Sequence, residues 1–202
     1  MSRNQRSITT RRAVLAGAGA TFFGPPMASA EQRSGPPPHE KGPRVYLDYD
    51  QVELDAAYDQ SVYEPNLDQV RKRWMSNSDL ARTRIGEPRR IAYGAAEIEK
   101  LDVYRTRAAN APIFIFIHGG AWRAGSARAY GAIAETFVNA GAHYVVPDFS
   151  WVQDTGGDLM PIADQVRRAV AYIYRNAESM GGDRNRIYVA GQSSGGHLAA
   201  WC

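Results

Sequence analysis

The chain holds one cysteine, Cys202, at its last position, so no internal disulfide can form and zinc sites built on cysteine pairs are excluded. A lone thiol says little about redox compartment. Histidine is also scarce, with four residues in 202. No His/Asp/Glu set has metal-ligand spacing and no Gly-rich phosphate loop occurs, so neither a metal nor a cofactor is expected. No apolar run reaches the roughly 20 residues needed to span a bilayer. Acidic residues are missing from the first thirty positions, which carry Arg3, Arg6, Arg11 and Arg12. Setting those four aside from the 24 Lys and Arg leaves 20 basic against 21 acidic side chains, so the +3 charge belongs to the N-terminal segment. No basic stripe with interleaved aromatics remains, which argues against a nucleic-acid partner.

That first segment, residues 1–30, has the layout of an export signal. Arg11-Arg12 precedes a short apolar run ending near Phe23, then Gly24-Pro25-Pro26, then the small-x-small Ala28-Ser29-Ala30. The pattern resembles a bacterial twin-arginine signal, and predicts a periplasmic or secreted protein beginning at Glu31, with no stable membrane span after cleavage. Residues 31–44, with three consecutive prolines, read as an extended linker. Residues 45–88 read as a helical N-terminal extension, with an amphipathic helix over Leu67–Arg84 facing inward through Val70, Trp74 and Leu80.

From residue 89 the pattern alternates strands with helices. Short strands are expected at Ile91–Tyr93 and Leu101–Tyr104, and a doubly buried strand at Pro112–Ile117, whose side chains are all apolar. A helix follows around Tyr130, Ile133, Ala134, Phe137 and Val138, capped by Gly141, and then a strand at His143–Val146. Pro161 suits the first turn of a further helix whose inward face is Ile162, Val166, Ala169, Val170 and Ile173. Gly181-Gly182 ends it, and Arg186–Ala190 reads as another buried strand. Such alternation predicts an α/β fold, a mostly parallel sheet with helices on both faces.

Two motifs carry chemistry. Gly191-Gln192-Ser193-Ser194-Gly195 matches G-x-S-x-G directly after a strand and before a helix-forming stretch. That is the setting in which a serine is held on a sharp, exposed elbow, and Ser193 is the expected nucleophile. The glycines, Gly196 included, leave space beside it. The other reading is a Ser/Gly-rich helix cap, which the flanking strand does not require. His118-Gly119-Gly120-Ala121-Trp122 follows the Pro112–Ile117 strand at once. Backbone N–H groups of Gly119, Gly120 and Ala121 can approach a reacting carbonyl, with the N–H of Ser194 opposite, and stabilise an oxyanion. His118 and Trp122 read as structural parts of that loop. No histidine is well placed as a general base: His197 lies on the elbow's own helix with its ring expected in neighbouring packing, and His143 begins a strand. Asp148 ends a strand, and is expected to cap the turn that follows.

These motifs resemble the α/β-hydrolases that include kynurenine formamidases and hormone-sensitive-lipase-type esterases. The formamidase branch is nearer in His118–Trp122, in the run Gly191–Leu198, and in Leu54–Tyr58 followed by Trp74. The resemblance implies an ester or amide hydrolase with a small-molecule substrate and oxyanion donors at Gly120 and Ala121. It also implies a triad running Ser, Asp or Glu, then His. The acid, the base and the last strands are therefore expected beyond Cys202, and residues 89–202 are expected to form the N-terminal part of an α/β-hydrolase core that is inactive by itself. A broad carboxylesterase and a non-catalytic binding module on the same scaffold remain open alternatives.

Overall fold

The seven residues Ala111–Ile117 (β3) form the strand on which the sheet is centred, because their side chains satisfy two cores at once. In the computed structural model, which describes residues 36, 38–59, 64 and 66–202, Ile113, Ile115 and Ile117 are fully buried on one face. Phe114 and Phe116 pack into the other. Each fully buried isoleucine contributes about 1.5–3 kcal/mol relative to exposure. The signal-like segment 1–30 lies outside the described residues.

Contacts divide the chain into two units, residues 1–63 and 64–202. In the first, Gln51–Tyr58 (α1) begins with a capping box: the Asp50 carboxylate accepts the Glu53 N–H at 2.9 Å, and the Glu53 carboxylate accepts the Asp50 N–H at 3.0 Å. Backbone donation from Glu53 and Gly42 holds the Asp50 carboxyl down at about 2. His39, Asp50 and Glu53 lie close enough to share a cation. Their oxygens are already engaged, Asp50 by the helix cap and Glu53 by Lys41.

The second unit contains Leu67–Ile85 (α2), Arg89–Ala92 (β1), Lys100–Tyr104 (β2) and β3, followed by Gly131–Asn139 (α3), His143–Pro147 (β4), Met160–Asn176 (α4), Gly182–Gly191 (β5) and Ser194–Ala199 (α5). The sheet order is β1-β2-β4-β3-β5. β1 with β2 and β2 with β4 pair antiparallel, while β3 pairs parallel with both β4 and β5. Only β2 runs against the rest, so the sheet is mixed, with most strands pointing one way. Ile162, Val166, Ala169 and Ile173 of α4 and Leu198 of α5 share a core with the isoleucines of β3. Ala134, Ile133 and Phe137 of α3 and Ile85 of α2 cover the opposite face with Phe114, Phe116 and Tyr144.

The contact division falls between residues 63 and 64, within the segment 45–88, and α2 lies in the unit that contains the sheet. One expectation needs correction. The inward face of α2 is more polar than its periodicity suggests: Ser78, Ala81 and Arg82 are buried and Leu80 is 52% exposed. The physical reason is the start of α3, whose own N-cap residue supplies no side-chain hydrogen bond. Ser78 Oγ accepts the Ala132 N–H at 3.0 Å and donates to the Ala129 carbonyl at 2.7 Å, so one helix caps another. Among the described residues β5 pairs only with β3, and Tyr188 stands 56% exposed. Its apolar composition suits an interior strand.

Candidate active site

β5 delivers the chain into a turn so tight that side chains are excluded around it. A Cβ on Gly191 would meet the carbonyl of Gly195, and one on Gly195 would meet the carbonyls of Ile117 and His118. The elbow therefore nests against the end of β3, and only glycine fits at either position. Ser193, at the top, has φ 52° and ψ −123°, a backbone conformation L-residues rarely adopt, and is exposed. Strain of about 1–3 kcal/mol at such a residue persists only where surrounding structure enforces it. Gly196 lies in the first turn of α5 facing Gly191.

The loop after β3 lies beside this serine. A Cβ on Gly119 would stand 2.8 Å from the Gln192 carbonyl oxygen and 3.4 Å from Ser193 Cβ. Gly120 has φ 128°, and Ala121 and Trp122 follow at 52° and 59°. The N–H groups of Arg123 and Ala124 both donate to the Gly120 carbonyl at 3.0 Å, closing the turn.

His118 is 1% exposed, with its ring 4.3 Å from Phe149 and 5.7 Å from Tyr130. Its Nδ1 lies 3.0 Å from the Gly119 carbonyl, which can only accept, so the proton sits on Nδ1. In a trans peptide, C=O and N–H point opposite ways. Holding the Gly119 carbonyl toward His118 therefore turns the Gly120 N–H away from the histidine. Among the described residues, the N–H groups of Gly119, Gly120, Ala121 and Ser194 make no backbone hydrogen bond outside regular elements.

Asp148 does not cap the turn after its strand. It is buried and accepts the Ala127 N–H at 2.6 Å and an Arg90 guanidinium N–H at 2.5 Å. Its carbonyl accepts the Tyr93 hydroxyl at 2.6 Å, and its carboxylate lies 3.9 Å from His118 Nε2. One carboxylate thus ties β1, the end of β4 and the segment leaving the glycine loop together. Sequence reasoning missed this hub, along with Tyr130, because their partners lie far apart in the chain. His197 is exposed rather than packed away, with its ring edge-on to Trp122 at 5.5 Å and near Trp201 at 6.3 Å. His143 is buried and its Nδ1 accepts the Thr106 N–H at 3.1 Å.

Burial holds both His118 and His143 below the ordinary value of 6.5. Below about pH 6.5 the unfolded chain takes up protons that the folded chain refuses, so stability present above that pH is lost as the pH falls. Urea midpoints should therefore drop between pH 7.5 and pH 5.5, and drop less in His143→Gln, which keeps an acceptor for Thr106. Equal slopes in the two proteins would show that His143 does not contribute.

A serine on a glycine-lined elbow beside a glycine loop, both at strand ends of one sheet, marks the α/β-hydrolase class. A protein assigned as a thioesterase from Silicibacter sp. TM1040 has this fold, with a TM-score of 0.64 and 26% identity over 74% of this chain and 55% of its own. Residues 101–202 match the model of the BD-FAE family, and the chain belongs to that family. Kynurenine formamidase of Danio rerio is 33% identical over 73% of this chain and 51% of its own length. Esterase LipC of Mycobacterium tuberculosis is 37% identical over 60% of this chain and 30% of its own. The chain spans about half the length, or less, of these curated relatives.

Proposed function

We propose that the protein is a serine hydrolase that cleaves a carboxylic ester or activated amide, formamidase-like, through an acyl-enzyme. The observation that carries this reading is the strained, exposed Ser193 set against the glycine loop, since a binding role needs neither. Ser193 Oγ attacks the carbonyl carbon while its proton passes to a base, and the carbonyl oxygen takes the negative charge. The N–H groups of Gly120, Ala121 and Ser194 face that oxyanion, each worth about 3 kcal/mol of barrier lowering. Collapse expels the alcohol or amine, which takes a proton. Water then hydrolyses the acyl-serine by the same route.

The described histidines do not supply the base: His118 and His143 are buried with Nδ1 engaged, and His197 stands against Trp122 on α5. The base and its acid partner are proposed to lie C-terminal to Cys202. A second reading, a broad carboxylesterase, draws support from the similarity to Esterase LipC. A fluorophosphonate probe should label full-length protein at Ser193. Turnover of N-formylanilides well above short and long acyl esters supports the formamidase-like reading, and the reverse order supports the esterase. An unlabelled protein that hydrolyses neither class would leave only a binding module.

A further inference from the structure

The G-x-S-x-G pattern leaves the position after the nucleophile open, and alanine would satisfy its geometry as well as serine. Here it is Ser194, the first residue of α5, 5% exposed and pressed beneath the glycine loop. Its Oγ accepts the backbone N–H of Trp122 at 3.3 Å. That bond joins the two segments that carry the proposed oxyanion donors, and it is made by a side chain whose own N–H is one of them.

Trp122 has few other polar anchors. Its indole Nε1 is buried without a partner among the described residues, so the residue is held through its main chain: N–H to Ser194, and carbonyl accepting the Val152 N–H at 2.8 Å. Ala121 and Trp122 are consecutive non-glycine residues at positive φ. Such a pair relaxes unless something outside the loop pins it. Ser194 pins it from the elbow.

We propose that Ser194 is a positioning residue whose hydroxyl locks the glycine loop to the nucleophile elbow, so that the donors on both sides of the oxyanion hold one geometry. This rests on the reading of Ser193 as nucleophile. Displacing donors by a fraction of an ångström weakens bonds made in the transition state more than those made to bound substrate. The hydroxyl should therefore act on kcat rather than KM.

The test compares full-length wild-type protein with Ser194→Ala, Ser194→Thr and Ser194→Val. In Ser194→Ala, kcat should fall about tenfold with KM within about twofold, and the Trp122 amide should exchange faster with solvent deuterium. Ser194→Thr, which keeps the oxygen, should recover most of both, whereas the isosteric Ser194→Val should not. Equal recovery by Thr and Val overturns the proposal even if the alanine variant fails to fold. So does a loss confined to KM, or a fall in kcat without faster Trp122 exchange. If the fluorophosphonate probe leaves wild-type protein unlabelled, the nucleophile reading fails by itself. The Trp122 exchange in Thr against Val then still decides whether the hydroxyl pins the loop.

Discussion

Replacing Ser193 with glycine should abolish turnover, by about a millionfold, while making the protein more stable. The two effects have one origin. Ser193 is held at φ 52° and ψ −123° by the glycines that wedge the elbow against β3. A serine there stores about 1–3 kcal/mol, which glycine does not. Glycine adds back up to about 1 kcal/mol through the greater freedom of the unfolded chain. The balance favours the variant by about 1 kcal/mol, or roughly 2–4 °C in melting temperature for a domain of this size. Thermal unfolding beside an esterase assay checks both. A variant that loses activity and also stability would mean that the elbow is relaxed with serine present.

With the base C-terminal to Cys202, as proposed, the 202-residue chain alone should be nearly inactive, by as much as about a millionfold against a longer protein that carries it, because a triad without its base loses that much. His118 cannot serve: it is sealed between aromatic rings, with its Nδ1 proton committed to the Gly119 carbonyl. His197 is exposed, but it is set on the helix that begins at Ser194, against Trp122 and Trp201. The open flank of β5 predicts a second difference. Tyr188 and Val189 stand at an edge with unpaired strand groups beside them, an arrangement prone to edge-to-edge association. Hydrolysis of a short acyl ester by the two proteins, run with light scattering, measures both effects. Substantial activity in the short chain would place the base among the described histidines.

Much of the fold was legible because the signals were local. Pro112–Ile117 reads as a strand from composition alone, and the α4 stripe of Ile162, Val166, Ala169 and Ile173 is buried as its spacing predicts. The proximity of Gly119 to Ser193 followed from two motifs at strand ends. What stayed hidden depends on distant partners. Asp148 looks like any strand-terminal acid until Arg90 and Ala127 are brought to it, and Ser78 looks like a surface residue until it caps α3. The exposure of Leu80 was invisible for the same reason: periodicity reports which face could be buried, not whether a neighbour arrives.

The sheet order also dictates when the site comes into being. β4 and β3 are neighbours, and β1 and β2 add on one side through short-range and middle-range pairings. β5 joins on the other side, about 70 residues after the β3 segment it pairs with. The glycine loop rides on β3 and the elbow on β5, so neither half encloses anything until β5 docks. During synthesis, a chain with β1 to β4 assembled carries a loop already aimed at an empty place. The docking that raises Ser193 onto its elbow is the same event that brings the Ser194 hydroxyl to Trp122. Of the described strands, β5 therefore arrives last and completes both the elbow and its tie to the glycine loop.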